Sequence, residues 1–179
     1  MRKEEQLRLL KGLINHLDAK TNIDAGGILR TPADTYTSSE RFEREWDTFF
    51  LDHPQIIGMS GDLPKPDTFM TTEDFGVPVL ATRNSSGEFK AYANVCSHRG
   101  VIVEDVKRGE KSKFSCPFHG WTYNNEGALI GYPKSDQFGK IDKDCYGLKE
   151  LPALEKFGFL WVHPSKDGKI ELDDLLGKD

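Results

Sequence analysis

The chain has 179 residues, with 24 Lys and Arg against 29 Asp and Glu, a net charge of −5 and a pI near 5.6. Charged residues make up 30% and hydrophobic ones 37%, which suits one sizeable globular domain with an appendage. The acidic balance argues against nucleic acid or an anionic membrane surface as partner, and no apolar run approaches the ~18 residues of a membrane span.

The first residues, Met1 to Gln6, lack the apolar core of a signal peptide. Three cysteines offer no disulfide framework, so a cytoplasmic protein is expected. Residues 4–20 read as an amphipathic helix, with Leu7, Leu10, Ile14 and Leu17 at 3/4 spacing. A loop marked by Gly26-Gly27 and Thr31-Pro32 follows. Residues 38–51 read as a second helix, with Thr37 and Glu40 as a capping box and Phe42, Trp46, Phe49 and Phe50 as its apolar stripe. From about residue 55 the pattern changes to strands and turns. Gly58, Gly61, Pro64 and Pro66 punctuate a loop, and Phe69–Thr72 and Val77–Thr82 read as short strands. Asn84-Ser85-Ser86-Gly87 reads as a hairpin turn with Phe89–Val95 returning from it. Phe157–Val162 is a last apolar strand.

Two runs between these strands carry the chemistry: Cys96-Ser97-His98-Arg99-Gly100 and Cys116-Pro117-Phe118-His119-Gly120-Trp121. Each supplies one thiolate and one imidazole, and 17 residues separate His98 from Cys116. Two soft sulfur ligands with two imidazoles suit iron or zinc. Structural zinc sites use Cys-x₂₋₄-Cys and His-x₃₋₅-His pairs, whereas here each loop is mixed, which favours a Rieske [2Fe–2S] cluster. In that assignment Cys96 and Cys116 hold one iron, and His98 and His119 the other. Gly100 and Gly120 allow tight turns that bring backbone N–H groups toward the cluster sulfurs, and Pro117 fixes φ in the second loop. Both loops are expected at the tips of antiparallel hairpins. Trp121 reads equally as a cover over the cluster or as core, and Arg99 as a partner for a carboxylate or as a solvated side chain. Cys145, His16, His53 and His163 have no companion at ligand spacing and read as structural or solvated.

Residues 36–165 resemble the Rieske domain of aromatic-ring-hydroxylating oxygenase α subunits. The resemblance is strongest in Asn94-Val95-Cys96-Ser97-His98-Arg99-Gly100 and Cys116-Pro117-Phe118-His119-Gly120-Trp121-Thr122-Tyr123. It extends to Ser39–Phe50, Gly76–Arg83, Leu129–Pro133 and Gly158–Val162. It implies a mostly β fold of antiparallel sheets with two cluster-binding loops, preceded by a helical segment. The expected division is a helical segment over residues 1–54, the Rieske domain over 55–166, and over 167–179 the start of a linker to a catalytic domain that this sequence lacks.

In the family, that further domain holds a mononuclear Fe(II) on two His and one carboxylate. Five His in all, two of them assigned to the cluster, leave no such site here. The chain is therefore expected to be an oxygenase fragment that carries electrons but does not itself oxygenate. The resemblance implies a ferredoxin or a flavin-dependent reductase as donor and a homotrimeric parent protein. The alternative is a free-standing Rieske-type ferredoxin, which the helical residues 1–55 disfavour. Rieske proteins of quinol-oxidising complexes carry a Cys in each loop where this chain has Val101 and Phe118, and a Ser where it has Trp121. Fewer donors to the sulfurs imply a potential at the low end of the Rieske range, on the order of −150 mV.

Overall fold

The computed structural model of the chain describes residues 2–22, 26–138 and 141–177. These fall into two compact units, residues 42–170 and residues 1–41 with 171–179. Of the linker expected over 167–179, Lys178 and Asp179 lie outside the described residues, as do Met1 and residues 23–25 of the helical segment and residues 139–140 of the expected Rieske domain.

In chain order the strands are β1 (Gln55–Met59), β2 (Thr68–Thr72), β3 (Val79–Arg83), β4 (Phe89–Ala93), β5 (Arg108–Glu110), β6 (Lys113–Ser115), β7 (Thr122–Asn124), β8 (Leu129–Gly131), β9 (Glu150–Leu151), β10 (Ala153–Lys156) and β11 (Phe159–Val162). They form three sheets, in the orders β1-β11-β10, β5-β2-β3-β4-β9 and β6-β7-β8. Every strand pairing within them is antiparallel. This agrees with the antiparallel β architecture expected from the sequence.

The five-stranded sheet is covered on both faces, and its alternation decides which residue goes where. Phe69, Leu80 and Tyr92 point into one apolar cluster, together with Phe114, Tyr123 and Leu129. Their neighbours Met70, Val79, Ala81 and Ala91 point into the other, with Leu63, Leu160 and Val162. The register explains the sorting, because Leu80 faces Tyr92 while Ala81 faces Ala91. The first of these clusters also contains Cys96 and Cys116. The hairpin between β3 and β4 turns where the sequence predicts. The Asn84 side-chain oxygen accepts from the N–H groups of Ser86 and Glu88 at 3.1 and 2.7 Å.

Several strands were not legible in the sequence. β1 was read as part of a loop because of Gly58, yet it pairs with β11 through an irregularity between Ile56 and Gly58. β5, β9 and β10 are short and rich in charged residues, and exist because a neighbouring strand pairs with them.

In the smaller unit, α1 (Lys3–Ala19) is the predicted helix, and none of its residues is buried. Leu7, Leu10, Ile14 and Leu17 lie exposed along it. The second helix is α3 (Ser39–Glu45), continued by a π-helical stretch over Trp46–Leu51. The Thr37–Glu40 capping box is not formed. Thr37 belongs to a short α2 (Asp34–Thr37), and its hydroxyl donates to the Ala33 carbonyl. Ser38, with extended backbone, caps α3 instead by accepting from the Arg41 N–H at 3.2 Å. In the larger unit Phe42, Trp46 and Phe50 stack in a ladder with centroid separations of 5.9 and 4.9 Å. Among the described residues the remaining helical elements are the single turns α4 (Ser135–Phe138) and α5 (Leu172–Leu176) and two 3₁₀ turns, Ser60–Asp62 and Lys143–Tyr146. No helix among the described residues is long and apolar enough to cross a membrane.

One ion pair joins two sheets. The Arg83 guanidinium, largely enclosed, donates to both Glu155 carboxylate oxygens at 2.9 and 3.1 Å, and also to the carbonyls of Leu63 and Gly87. Hydrogen bonds from Arg83 and then from Ser60 hold the Glu155 carboxyl below the usual carboxylate range. A folded-state value below the unfolded one means that ionised Glu155 stabilises the fold above the ordinary carboxylate pKa of about 4.3. That stability is lost as the pH falls from there through the folded-state value. Urea midpoints should therefore fall on acidification through this window more steeply in the wild type than in Glu155→Gln, which starts from a lower midpoint at neutral pH.

Candidate metal centre

The two Cys-containing loops share one backbone design. The Cys96 N–H donates to the Val101 carbonyl at 2.8 Å, and the Cys116 N–H donates to the Trp121 carbonyl at 2.8 Å. The Gly100 N–H returns to the Cys96 carbonyl, and the Gly120 N–H to the Cys116 carbonyl, both at 2.9 Å. Each glycine has positive φ, +73° and +69°, a conformation that a side chain would strain. The glycine N–H groups are thus bonded to the cysteine carbonyls, and the glycines make the tight turns expected of them by closing each loop on its own cysteine.

The flanking structure differs between the loops. The second sits at the tip of the β6–β7 hairpin, as predicted. The first is closed by a single antiparallel bridge between Val95 and Ile102, so it is not the tip of a regular hairpin. Its support comes from outside. The Ser97 hydroxyl donates to the Gly147 carbonyl at 2.6 Å, and the Ser97 N–H donates to the Tyr123 hydroxyl at 3.1 Å.

This closure puts the sulfurs inside and the imidazoles outside. Cys96 and Cys116 are 3% and 4% exposed and carry free thiols. His98 is half-buried and His119 is exposed. The two imidazoles lie edge to face with ring centroids 4.8 Å apart. The half-buried position of His98, then its neighbours His119 and Arg99, lower its pKa from the ordinary imidazole value, which favours the neutral, metal-binding form. Among the described residues no three His, Cys, Asp or Glu side chains meet as a single-ion site. A two-iron cluster asks for only two protein donors at each iron, and a pair of thiols and a pair of imidazoles is what the loops supply. The residues present fit the group.

Two residues of the β7 segment act on the first loop, and their importance was missed or left open in the sequence. Trp121 and Tyr123 are alternate residues of an extended segment and therefore share a face, with Thr122 opposite. The Trp121 ring is 2% exposed and stacks on His98 at 4.8 Å with 6° between planes. It is thus core, and it covers one face of the His98 ring. The Tyr123 hydroxyl lies 3.2 Å from the Cys96 sulfur, and burial, then the contact with Cys96, pushes its pKa up. The phenol oxygen accepts from the Ser97 N–H, and against a metal-bound thiolate, which cannot donate, the phenol would be the donor to the sulfur, one that the loop sequences alone do not supply.

The remaining candidates separate from the site. His16 bonds to the Thr21 hydroxyl, His53 to the Thr48 carbonyl, and buried His163 accepts from the Ser165 N–H. Cys145 is exposed, with Asp142 3.5 Å from its sulfur raising its pKa. Arg99 lies over the exposed ring of Phe118 at 5.9 Å, a cation–π contact that neither reading of Arg99 anticipated.

Comparison with known proteins agrees with this geometry. Residues 53–154, more than half of the chain, match the family described as the Rieske [2Fe-2S] domain. The chain belongs to that family, and the cofactor of the domain is the [2Fe–2S] cluster. Among curated relatives, the anthranilate 1,2-dioxygenase large subunit of Acinetobacter baylyi is 30% identical over 84% of this chain and 32% of its own length. The toluate 1,2-dioxygenase subunit alpha of Pseudomonas putida is 30% identical over 92% of this chain and 37% of its own. The chain thus spans about a third of the length of these curated relatives. Among solved structures, naphthalene 1,2-dioxygenase from Rhodococcus sp. superposes with a TM-score of 0.75 at 25% identity, over 98% of this chain and 38% of that one. A quaternary ammonium Rieske monooxygenase, CntA, gives 0.73 at 26% identity, over 82% and 41%.

Tyr123→Phe removes the acceptor of a half-buried N–H in the first loop. It should lower folding stability by about 0.5–1.5 kcal/mol, as expected for one lost hydrogen bond, and urea denaturation of the metal-free chain measures it.

Proposed function

We propose that Cys96, Cys116, His98 and His119 hold the Rieske cluster, and that the chain is the electron-transfer part of a ring-hydroxylating oxygenase α subunit. The observation that carries this reading is the pair of imidazoles at 4.8 Å, borne by two loops of one design whose cysteines are buried in one core cluster. When bound, the cluster takes up and releases one electron at a time. The chain's own residues set the conditions. The apolar cluster of Phe69, Phe114 and Trp121 keeps water from the sulfurs. Tyr123 directs its hydroxyl at the Cys96 sulfur, which favours the more negative, reduced state. His98 and His119 bring the site to the surface, where a redox partner can approach.

In this reading the electron donor is a ferredoxin or a flavin-dependent reductase, and the acceptor is a mononuclear iron site of the oxygenase. The parent protein is a cytoplasmic homotrimer acting on an aromatic or related small molecule. The names of the relatives support the oxygenase assignment, since they are dioxygenase large or alpha subunits. With Cys96 and Cys116 assigned to the cluster, Cys145 has no cysteine to pair with, which suits a reducing compartment.

The purified chain should be brown, contain iron and acid-labile sulfide in equal amounts, and give a mixed-ligand EPR signal on reduction. Alanine at any of Cys96, His98, Cys116 or His119 should abolish that signal, while Cys145→Ala should keep it; a colourless zinc protein would refute the assignment. Redox titration should place the midpoint at the low end of the Rieske range, on the order of −150 mV. Tyr123→Phe should shift it further down by about 20–65 mV, the one-electron equivalent of a net hydrogen bond. A wild-type midpoint well above zero would contradict the accounting of donors to the sulfurs.

A further inference from the structure

We propose that Trp121 is a positioning residue: its indole, carried by the Cys116 loop, fixes the ring plane of His98, carried by the Cys96 loop. This rests on the reading that His98 is a cluster ligand, and adds a device that joins the two loops. An imidazole on a surface loop rotates broadly about its last side-chain torsion. At His98 that freedom is removed by a near-parallel indole at 4.8 Å and 6°, a separation that for parallel rings is offset stacking.

The indole is itself held. It is 2% exposed, with Tyr132 at 5.7 Å and Tyr146 at 5.6 Å packed around it. Its backbone carbonyl is tied to the Cys116 N–H at 2.8 Å. His119 is supported differently: it is exposed, its ring lies tilted on the exposed Phe118 at 3.9 Å and 36°, and it meets His98 edge to face at 65°. The buried, near-parallel indole therefore acts on one imidazole of the two. A ligand whose plane is set before the metal arrives presents its nitrogen lone pair in one direction, which raises retention of the cluster and makes the two histidines inequivalent.

The test uses the full chain loaded with iron and sulfide, comparing wild type, Trp121→Met and Trp121→Phe. Circular dichroism reports the fold, iron content reports retention, and pulsed EPR of the reduced cluster resolves the imidazole nitrogen couplings. Trp121→Met fills much of the volume without a ring. It should keep the wild-type circular dichroism, broaden one of the two nitrogen couplings, leave the other unmoved, and retain about 2- to 10-fold less cluster, the size expected for one lost aromatic pair. Trp121→Phe, which restores a stacking face, should move both readouts back toward wild type. Couplings in Trp121→Met that match the wild type, or that broaden equally, would assign Trp121 to packing alone and overturn the proposal. Loss of the fold in both variants would do the same. A wild-type chain without imidazole nitrogen couplings would instead overturn the ligand assignment, which is a separate failure.

Discussion

The structure turns on a conflict between burial and access within single short loops. A cluster ligated by thiolates must keep its sulfurs dry, while the same loop must bring an imidazole to the surface only two or three residues later. The chain resolves this with one closure used twice. The cysteine N–H is bonded to the carbonyl five residues on, and the glycine N–H four residues on is bonded back to the cysteine carbonyl. The loop then reverses within six residues. Its first side chain points into the core and its histidine points out, and the positive φ at Gly100 and Gly120 is the conformational cost of that reversal.

Identical closures do not make equivalent loops. The second loop rides on a β hairpin and brings its own scaffold. The first has one bridge, between Val95 and Ile102, and borrows the rest of its order from Ser97, Gly147, Tyr123 and Trp121. The contributions of Trp121 and Tyr123 come from alternate positions of the segment that leaves the second loop. The second loop is thus the rigid member, and the first is fitted against it. Removing water around these contacts strengthens each of them, since hydrogen bonds and aromatic contacts gain in a dry, low-dielectric setting.

What was legible in the sequence follows from the range of the interactions involved. The two Cys–His loops, the turning glycines and the Asn84–Gly87 hairpin are set within a few neighbouring residues, and the structure brings the two histidines to 4.8 Å and both cysteines into one core cluster. The helix starting near residue 39 was also legible, although its cap was assigned to Thr37 and belongs to Ser38, because α2 had already claimed Thr37. Strands β1, β5, β9 and β10 were not legible. Gln55–Met59 contains a glycine, Arg108–Glu110 is Arg-Gly-Glu, and Ala153–Lys156 carries a Glu and a Lys. Their strand state is imposed by partners far along the chain, and local propensity says nothing of it.

The same reasoning explains why the ligand set was readable while its surroundings were not. Ligand type and spacing are chemical requirements of the cluster and are written into each loop separately. The relation between the loops is a tertiary fact, created when Trp121 and Tyr123, 25 and 27 positions after Cys96, fold back over the first loop. That His98 and Trp121 stack on each other is not visible until the sheets of the larger unit are assembled and bring them to 4.8 Å. The hydroxyl that meets the Cys96 sulfur, that of Tyr123, comes from the β7 segment and not from the loop that supplies Cys96. The loops therefore fix which metal chemistry is possible, and the core behind them fixes how readily it runs.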